Sequence, residues 1–215
     1  MIPVVGFATV FRFDLADRLI DSINYPVEHL VIVNNSGTRE WQPKQNPNVQ
    51  NAWHIEVPHG LGLVGAWNLI IKSTPYAPYW VLINDDAWFS ADALETIERE
   101  VDTNALNFCH VEQTPWATPV LGEGCIDKAG LYDEAFYPIY FDDNDLERRI
   151  RHAGVEVKQL SARIHHEPMQ TRQRFHDRNA VTWAANEARL KQKIIDNDYT
   201  EHGWSLAVRR ANRWD

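Results

Sequence analysis

Four short stretches of the chain carry side chains able to do chemistry. Asn84-Asp85-Asp86 closes an apolar run that begins at Tyr79. Two adjacent carboxylates at the end of a strand suit a cation that prefers oxygen ligands, Mg2+ or Mn2+. The same acids would serve a plain strand-to-helix turn, in which Asp accepts bonds from its own backbone. Tyr140-Phe141-Asp142-Asp143-Asn144-Asp145-Leu146 sets three acids within four positions. Their mutual repulsion raises at least one pKa, which favours work as a general base. Acids in the first turn of a helix are also stabilised by its macrodipole, and Asp145 fits that supporting role. In His165-His166-Glu167 an imidazole at a strand end is a metal-ligand type, although a lone histidine is more often structural. The run from His59 to Asn68, with Gly60, Gly62 and Gly65, brings backbone close to a ligand and leaves amides free before a helix. It is not a dinucleotide fingerprint, because it does not follow the first strand and lacks the expected ribose acid.

The elements that must position these residues alternate. Ile2–Thr9 is a Val-rich apolar run and reads as a buried strand. Asp14–Asn24 places Leu15, Leu19 and Ile23 at helical spacing, with Asp14 as its cap. His29–Val33 and Ala52–Val57 read as strands, Leu63–Lys72 as a helix, Tyr79–Asn84 as a strand and Ser90–Val101 as a helix capped by Ser90. This order predicts an α/β fold with a mixed, mostly parallel sheet flanked by helices. Ligands of such sheets gather beyond the carboxyl ends of the strands. Those ends are Thr9–Phe11, Asn34–Gly37, Pro58–Gly62 and Asn84–Asp86.

The second half is less regular. Leu106–Val111, Ala117–Leu121, Val155–Leu160 and Ala162–His165 read as strands, and Asp142–Ala153 as a helix stopped by Gly154. Thr171–Ile195 and Trp204–Asn212 are helical candidates, giving one domain over residues 1–170 and a C-terminal helical extension over 171–215 packed on it.

The formal charge of −9 argues against nonspecific nucleic-acid binding, and it would repel a diphosphate unless a cation or local arginines intervene. Cys109 and Cys125 read as buried free thiols in a reducing, cytoplasmic setting. No apolar run approaches a membrane span. Of the 9 Trp, most are expected in the core, although flat rings also suit sugars and nucleobases.

Taken in order, these pieces resemble glycosyltransferase family 2 and its GT-A relatives. Val4 to Gly37 resembles the opening that ends in D-N-x-S, Gly60 to Asn68 the N-x-G-x-x-x-x-N segment, and Asn84–Asp86 the D-x-D metal motif. Tyr132-Asp133-Glu134 resembles G-x-F-D-E, Asp142–Asp145 resembles E-D-x-D, and Arg148 with Gly154 fits the pattern that follows. Asn34, Asn84 and Asp142 depart from the acids usual at their positions.

The resemblance implies a GT-A (Rossmann-like) domain that performs inverting transfer from a nucleotide-diphosphate sugar, with a UDP-, GDP- or dTDP-linked donor. It implies donor contacts from Thr9, Phe11, Asn34, Asn35, Gly62, Asn68, Asn84 and Asp85. Asp86 would hold Mn2+ or Mg2+ with help from His165 or His166, the former favoured. Asp143, with Asp142, would take the proton of an acceptor hydroxyl on a glycan, a protein or a modified nucleic acid. Two other readings are a nucleotide-sugar-binding module without turnover, suggested by Asn34 and Asn84, and a sugar-phosphate nucleotidyltransferase, which lacks its early Gly-rich loop here. Arg172, Arg174, Arg178, Arg209, Arg210 and Arg213 make the C-terminal region locally basic, either as a solvated face or toward an anionic partner.

Overall fold

A computed structural model describes residues 1–112, 114–167, 176–200, 204–206 and 210, with backbone alone for 176–181. One side of its sheet is a parallel trio. Strand β1 (Ile2–Thr9) pairs with β2 (Val27–Asn34), which pairs with β3 (Val49–Glu56). Every residue of β1 is buried, which its unbroken apolar composition requires once helices cover both faces. Val5 and Phe7 enter one apolar layer, and Val4 and Ala8 the other.

Helix α1 (Phe13–Asp21) returns the chain from β1 to β2, burying Leu15, Ala16, Leu19 and Ile20. It starts one residue earlier than the sequence suggests. Asp14 is not its cap but lies in the first turn, where its carboxylate accepts bonds from Arg12 Nε at 3.0 Å and Nη2 at 2.8 Å. Helix α2 (Gly62–Ser73) lies on the other face, so close to β1 that a Cβ on Gly6 would stand 2.4 Å from Ile70 Cγ2. Absence of a side chain at position 6 is what lets this helix seat on the sheet.

Beyond β4 (Tyr79–Leu82), parallel to β1, the sheet is mixed, with antiparallel pairs on either side of one further parallel pair. The order is β3-β2-β1-β4-β7-β6-β8-β5, with β5 (Ala87–Phe89), β6 (Leu106–Val111), β7 (Pro119–Gly122) and β8 (Val157–His166). Three local expectations change. Ser90 does not cap a helix; its hydroxyl donates to Arg163 O at 2.8 Å, and α3 (Ala93–Glu100) begins later. The three residues before Ser90 form β5, an antiparallel addition to β8. The two short strands expected over 155–165 are one strand, whose interrupted alternation is a register shift opposite Phe108 and His110.

Helix α4 (Glu123–Ala129) follows β7, and α5 (Asp142–His152) precedes β8. Helix α6 (His176–Ile195) docks on the domain through one stripe of side chains. Asn186 donates to the carbonyls of Ile139 at 2.8 Å and of Tyr137 and Tyr140 at 3.3 Å. Lys193 Nζ lies 2.9 Å from carboxylate oxygens of both Asp133 and Asp145. Of the sequence candidate Trp204–Asn212 only 204–206 and 210 are described, and most of the C-terminal arginines lie outside the described residues. Arg210 is described, and it donates to Pro75 O at 2.8 Å and Ala77 O at 3.0 Å. Cys109 and Cys125 are buried free thiols. No helix among the described residues is long and apolar enough to cross a membrane.

Candidate functional site

Strand direction gathers the chemistry at one edge of the sheet. Strands β1, β2, β4, β6 and β8 end there, while β5 and β7, being antiparallel, begin there. Thr9, Asn34, Asn84–Asp86 and His166 therefore share an edge although far apart in sequence.

After β4 the chain turns tightly, with Ala87 N donating to Asn84 O at 3.1 Å and Asn84 N to Ala117 O at 2.9 Å. This turn buries Asp85 and Asp86. Burial pushes the Asp85 carboxyl up to about 7, and the neighbouring Asp86 charge adds to the rise. Asp86 Oδ1 lies 3.3 Å from His166 Nε2, whose side chain is only 4% exposed. The pairing of Ala87 with His166 across β5 and β8 creates this contact. Asp85 Oδ2, His166 Nδ1 and the Thr118 hydroxyl are buried without hydrogen-bond partners. Unsatisfied buried polar atoms at a ligand-binding edge are expected where a ligand or ion completes them.

Strand alternation separates the two histidines. Ala162, Ile164 and His166 point inward, whereas His165 is exposed and stacks on Trp88 with ring centroids 5.3 Å apart. The Arg18 guanidinium also covers Trp88, 3.8 Å from the ring centroid, while its Nη1 lies 3.0 Å from Glu167. His166, rather than the favoured His165, is the histidine beside Asp86.

The donor-contact candidates divide. Thr9 is buried at the end of β1, and Phe11 follows with φ 62. Arg12, not singled out in the sequence, lies within electrostatic reach of Asp85 and Asp86; its position just past the first strand was the available signal. Nothing in the local sequence marks Thr118, which reaches the edge only because β7 runs antiparallel. Asn34 closes its own turn, donating to Thr38 O at 2.7 Å and accepting from Ser36 N at 3.2 Å. Asn35 clamps the glycine loop, donating to Gly62 O at 3.0 Å and accepting from Leu61 N at 2.6 Å. Asn68 holds the 132–134 stretch, donating to Tyr132 O and Glu134 Oε1 at 2.9 Å each. Their amides thus shape the loops of the edge. Gly62, at φ 75, has no room for a Cβ, which would stand 2.9 Å from Pro138 O.

That contact links the glycine loop to the acidic turn. Leu63 N donates to Pro138 O at 2.9 Å, and the chain then runs through Tyr140 and Phe141, both at positive φ, into α5. Asp142 is buried, and burial together with the Asp143 charge pushes it up to about 7. Asp143 is partly exposed and also raised by burial, with Oδ1 accepting from Asn144 N at 2.8 Å. Asp145 differs: it is buried against Arg149 Nε at 2.8 Å and Lys193, as a structural anchor.

Among the described residues no group of three or more His, Cys, Asp and Glu side chains is placed to hold a metal alone. Mg2+ and Mn2+ sites of phosphate chemistry commonly use one or two carboxylates and take remaining ligands from the substrate and water. Asp86 and His166, with the unpartnered Asp85 oxygen nearby, fit that type of incomplete set.

Neither a protein-family model nor a curated protein matches the chain. Solved structures do. The chain is similar to GalNAc-T7, in a crystal structure with UDP, GalNAc and Mn2+, at a TM-score of 0.61 and 10% identity over 77% of this chain and 44% of that one. It is also similar to TarS of S. aureus, at a TM-score of 0.54 and 9% identity over 78% of this chain and 35% of that one. The chain therefore spans less than half the length of either. These likenesses identify the fold as GT-A.

Proposed function

We propose that the chain is an inverting glycosyltransferase that moves a sugar from a nucleotide-diphosphate donor to an acceptor hydroxyl. The observation that carries this reading is the Asp86–His166 pair with an unpartnered Asp85 oxygen at the strand ends; the raised pair Asp142 and Asp143 follows the segment that Leu63 N ties to the glycine loop through Pro138 O. The GalNAc-T7 structure, with its UDP, GalNAc and Mn2+, supports it by analogy of fold.

Asp86 and His166 would hold Mn2+ or Mg2+, with Asp85 beside them. The cation supplies positive charge for the departing diphosphate, so no protein acid is needed there. Arg12 adds a fixed positive charge near the same carboxylates. The glycine loop, fixed in place by Asn35, would let the donor approach the backbone. Asp143 is the more exposed of the raised pair and takes the acceptor proton as the hydroxyl oxygen attacks the anomeric carbon. A carboxylate with a raised pKa is a better base at neutral pH than an ordinary one. Buried Asp142 shares the pair's titration and supports it from beneath.

Incubation with Mn2+ and a panel of UDP-, GDP- and dTDP-sugars tests the reading by release of nucleoside diphosphate. Asp86→Ala should abolish metal-dependent turnover. Asp143→Asn should keep donor affinity and lose transfer. Tight donor binding with no turnover under any acceptor would instead establish a binding module.

A further inference from the structure

Beside the acidic turn lies an aromatic cluster that the transfer chemistry does not use. Trp183, on α6, has its ring centroid 4.7 Å from that of Tyr140 and 4.8 Å from that of Phe141. These two residues immediately precede Asp142 and both sit at positive φ, 79 and 66. Trp183 is nonetheless 43% exposed, so its aromatic contacts leave much of the indole open. One helical turn along the same stripe, Asn186 binds the carbonyls of Tyr137, Ile139 and Tyr140. Helix α6 is thereby fixed to the segment that carries the acids, and the indole is held over it. Packing against Tyr140 and Phe141 accounts for only part of the ring, and the flat apolar surface left exposed suits the C–H face of a sugar.

The surrounding charge narrows the ligand further. Among the described residues of α6, Arg189 and Lys193 are paired with Asp133 and Asp145, and Lys191 with Glu187. Asp142 and Asp143 follow Phe141 directly in the chain, at the start of α5. The described charges around the ring thus disfavour an anionic ligand and leave a neutral one unopposed.

From this juxtaposition we propose that Trp183, with Tyr140 and Phe141, forms an acceptor subsite for a neutral oligosaccharide, so that the hydroxyl attacked is a glycan hydroxyl. This rests on the transfer reading for its role as acceptor site, but its binding test does not. The protein without donor is mixed with neutral oligosaccharides, and saturation-transfer NMR reads contact; single-stranded DNA, RNA and a Ser/Thr peptide are run alongside. Wild-type protein should bind at least one neutral oligosaccharide. Trp183→Ala should weaken that binding about tenfold, equivalent to about 1.4 kcal/mol, and Trp183→Phe should restore most of it. Circular dichroism checks that the variants are folded. Binding only to nucleic acid or peptide, no glycan binding, or equal binding by folded Trp183→Ala would each overturn the proposal. Calorimetry of UDP, GDP and dTDP with Mn2+ on the same samples keeps the two readings apart. Loss of diphosphate binding counts against the donor site alone.

Discussion

Lys193→Met removes the cation that α6 shares between two buried carboxylates. Its Nζ lies 2.9 Å from Asp133 and 2.9 Å from Asp145, with side-chain exposures of 6%, 2% and 0% for the three groups. Breaking a buried ion pair by deleting one partner costs about 3–5 kcal/mol when nothing else compensates. Here Arg189 remains 3.0 Å from Asp133 and Arg149 2.8 Å from Asp145, so the cost should fall below that range. A second route gives a similar size. Burial alone would raise Asp133, yet bonds from Lys193 and Arg189 hold it down from 3.8 to about 2. At 1.36 kcal/mol per pKa unit, that net depression, reached against the opposing effect of burial, is roughly 2–3 kcal/mol of stability. Lys193→Met is therefore expected to lose about 2 kcal/mol at pH 7, read as a lower urea midpoint at unchanged slope. The sign with pH is fixed by the depressed value. The contribution is present above the unfolded carboxylate pKa and is lost as pH falls toward 2, so wild type and variant should converge between about pH 4 and 2. Equal midpoints at pH 7, or a gap that widens in acid, would refute the idea that this lysine anchors α6.

Two further outcomes follow from the edge of the sheet. His166→Ala should weaken Mn2+-dependent nucleotide binding in calorimetry by about 10-fold or more, the order expected on removing a metal ligand or its close support, whereas His165→Ala should leave it within about twofold. Reversal of that order would place the cation on the outer face of β8. For kcat/KM, the acid limb should fall as Asp143 gains its proton. Because burial raises that group, half-maximal rate is expected above the ordinary carboxylate value of about 4. An acid limb at or below that value would remove Asp143 as the base.

Much of the fold was legible along the chain. Buried parallel strands must be continuously apolar, and Ile2–Thr9 and Tyr79–Leu82 declare themselves that way. Leu15 and Leu19 mark α1 by their period. The candidate acids were legible too, because acids clustered after a strand or opening a helix are a local signal. What alternation could not reveal was β5, only three residues long and apolar for its burial under a neighbour that arrives some seventy positions later. Nor could it show that the break near Ser161 is a bulge within one strand, since a bulge is defined by its partner β6.

The choice between His165 and His166 shows where the boundary lies. Sequence determined that two imidazoles occupy adjacent positions and hence, on any strand, opposite faces. Which face looks toward Asp86 depends on the register of β8 against β5 and β6, a property of three segments together. Likewise, local composition gave Asp145 a helix-opening place, while its ion pairs with Arg149 and Lys193 came from the packing of α6. Short-range pattern determines which elements form because backbone geometry is local; tertiary contact decides which polar groups are satisfied and which are left for a ligand, because burial and partners are supplied from distant parts of the chain.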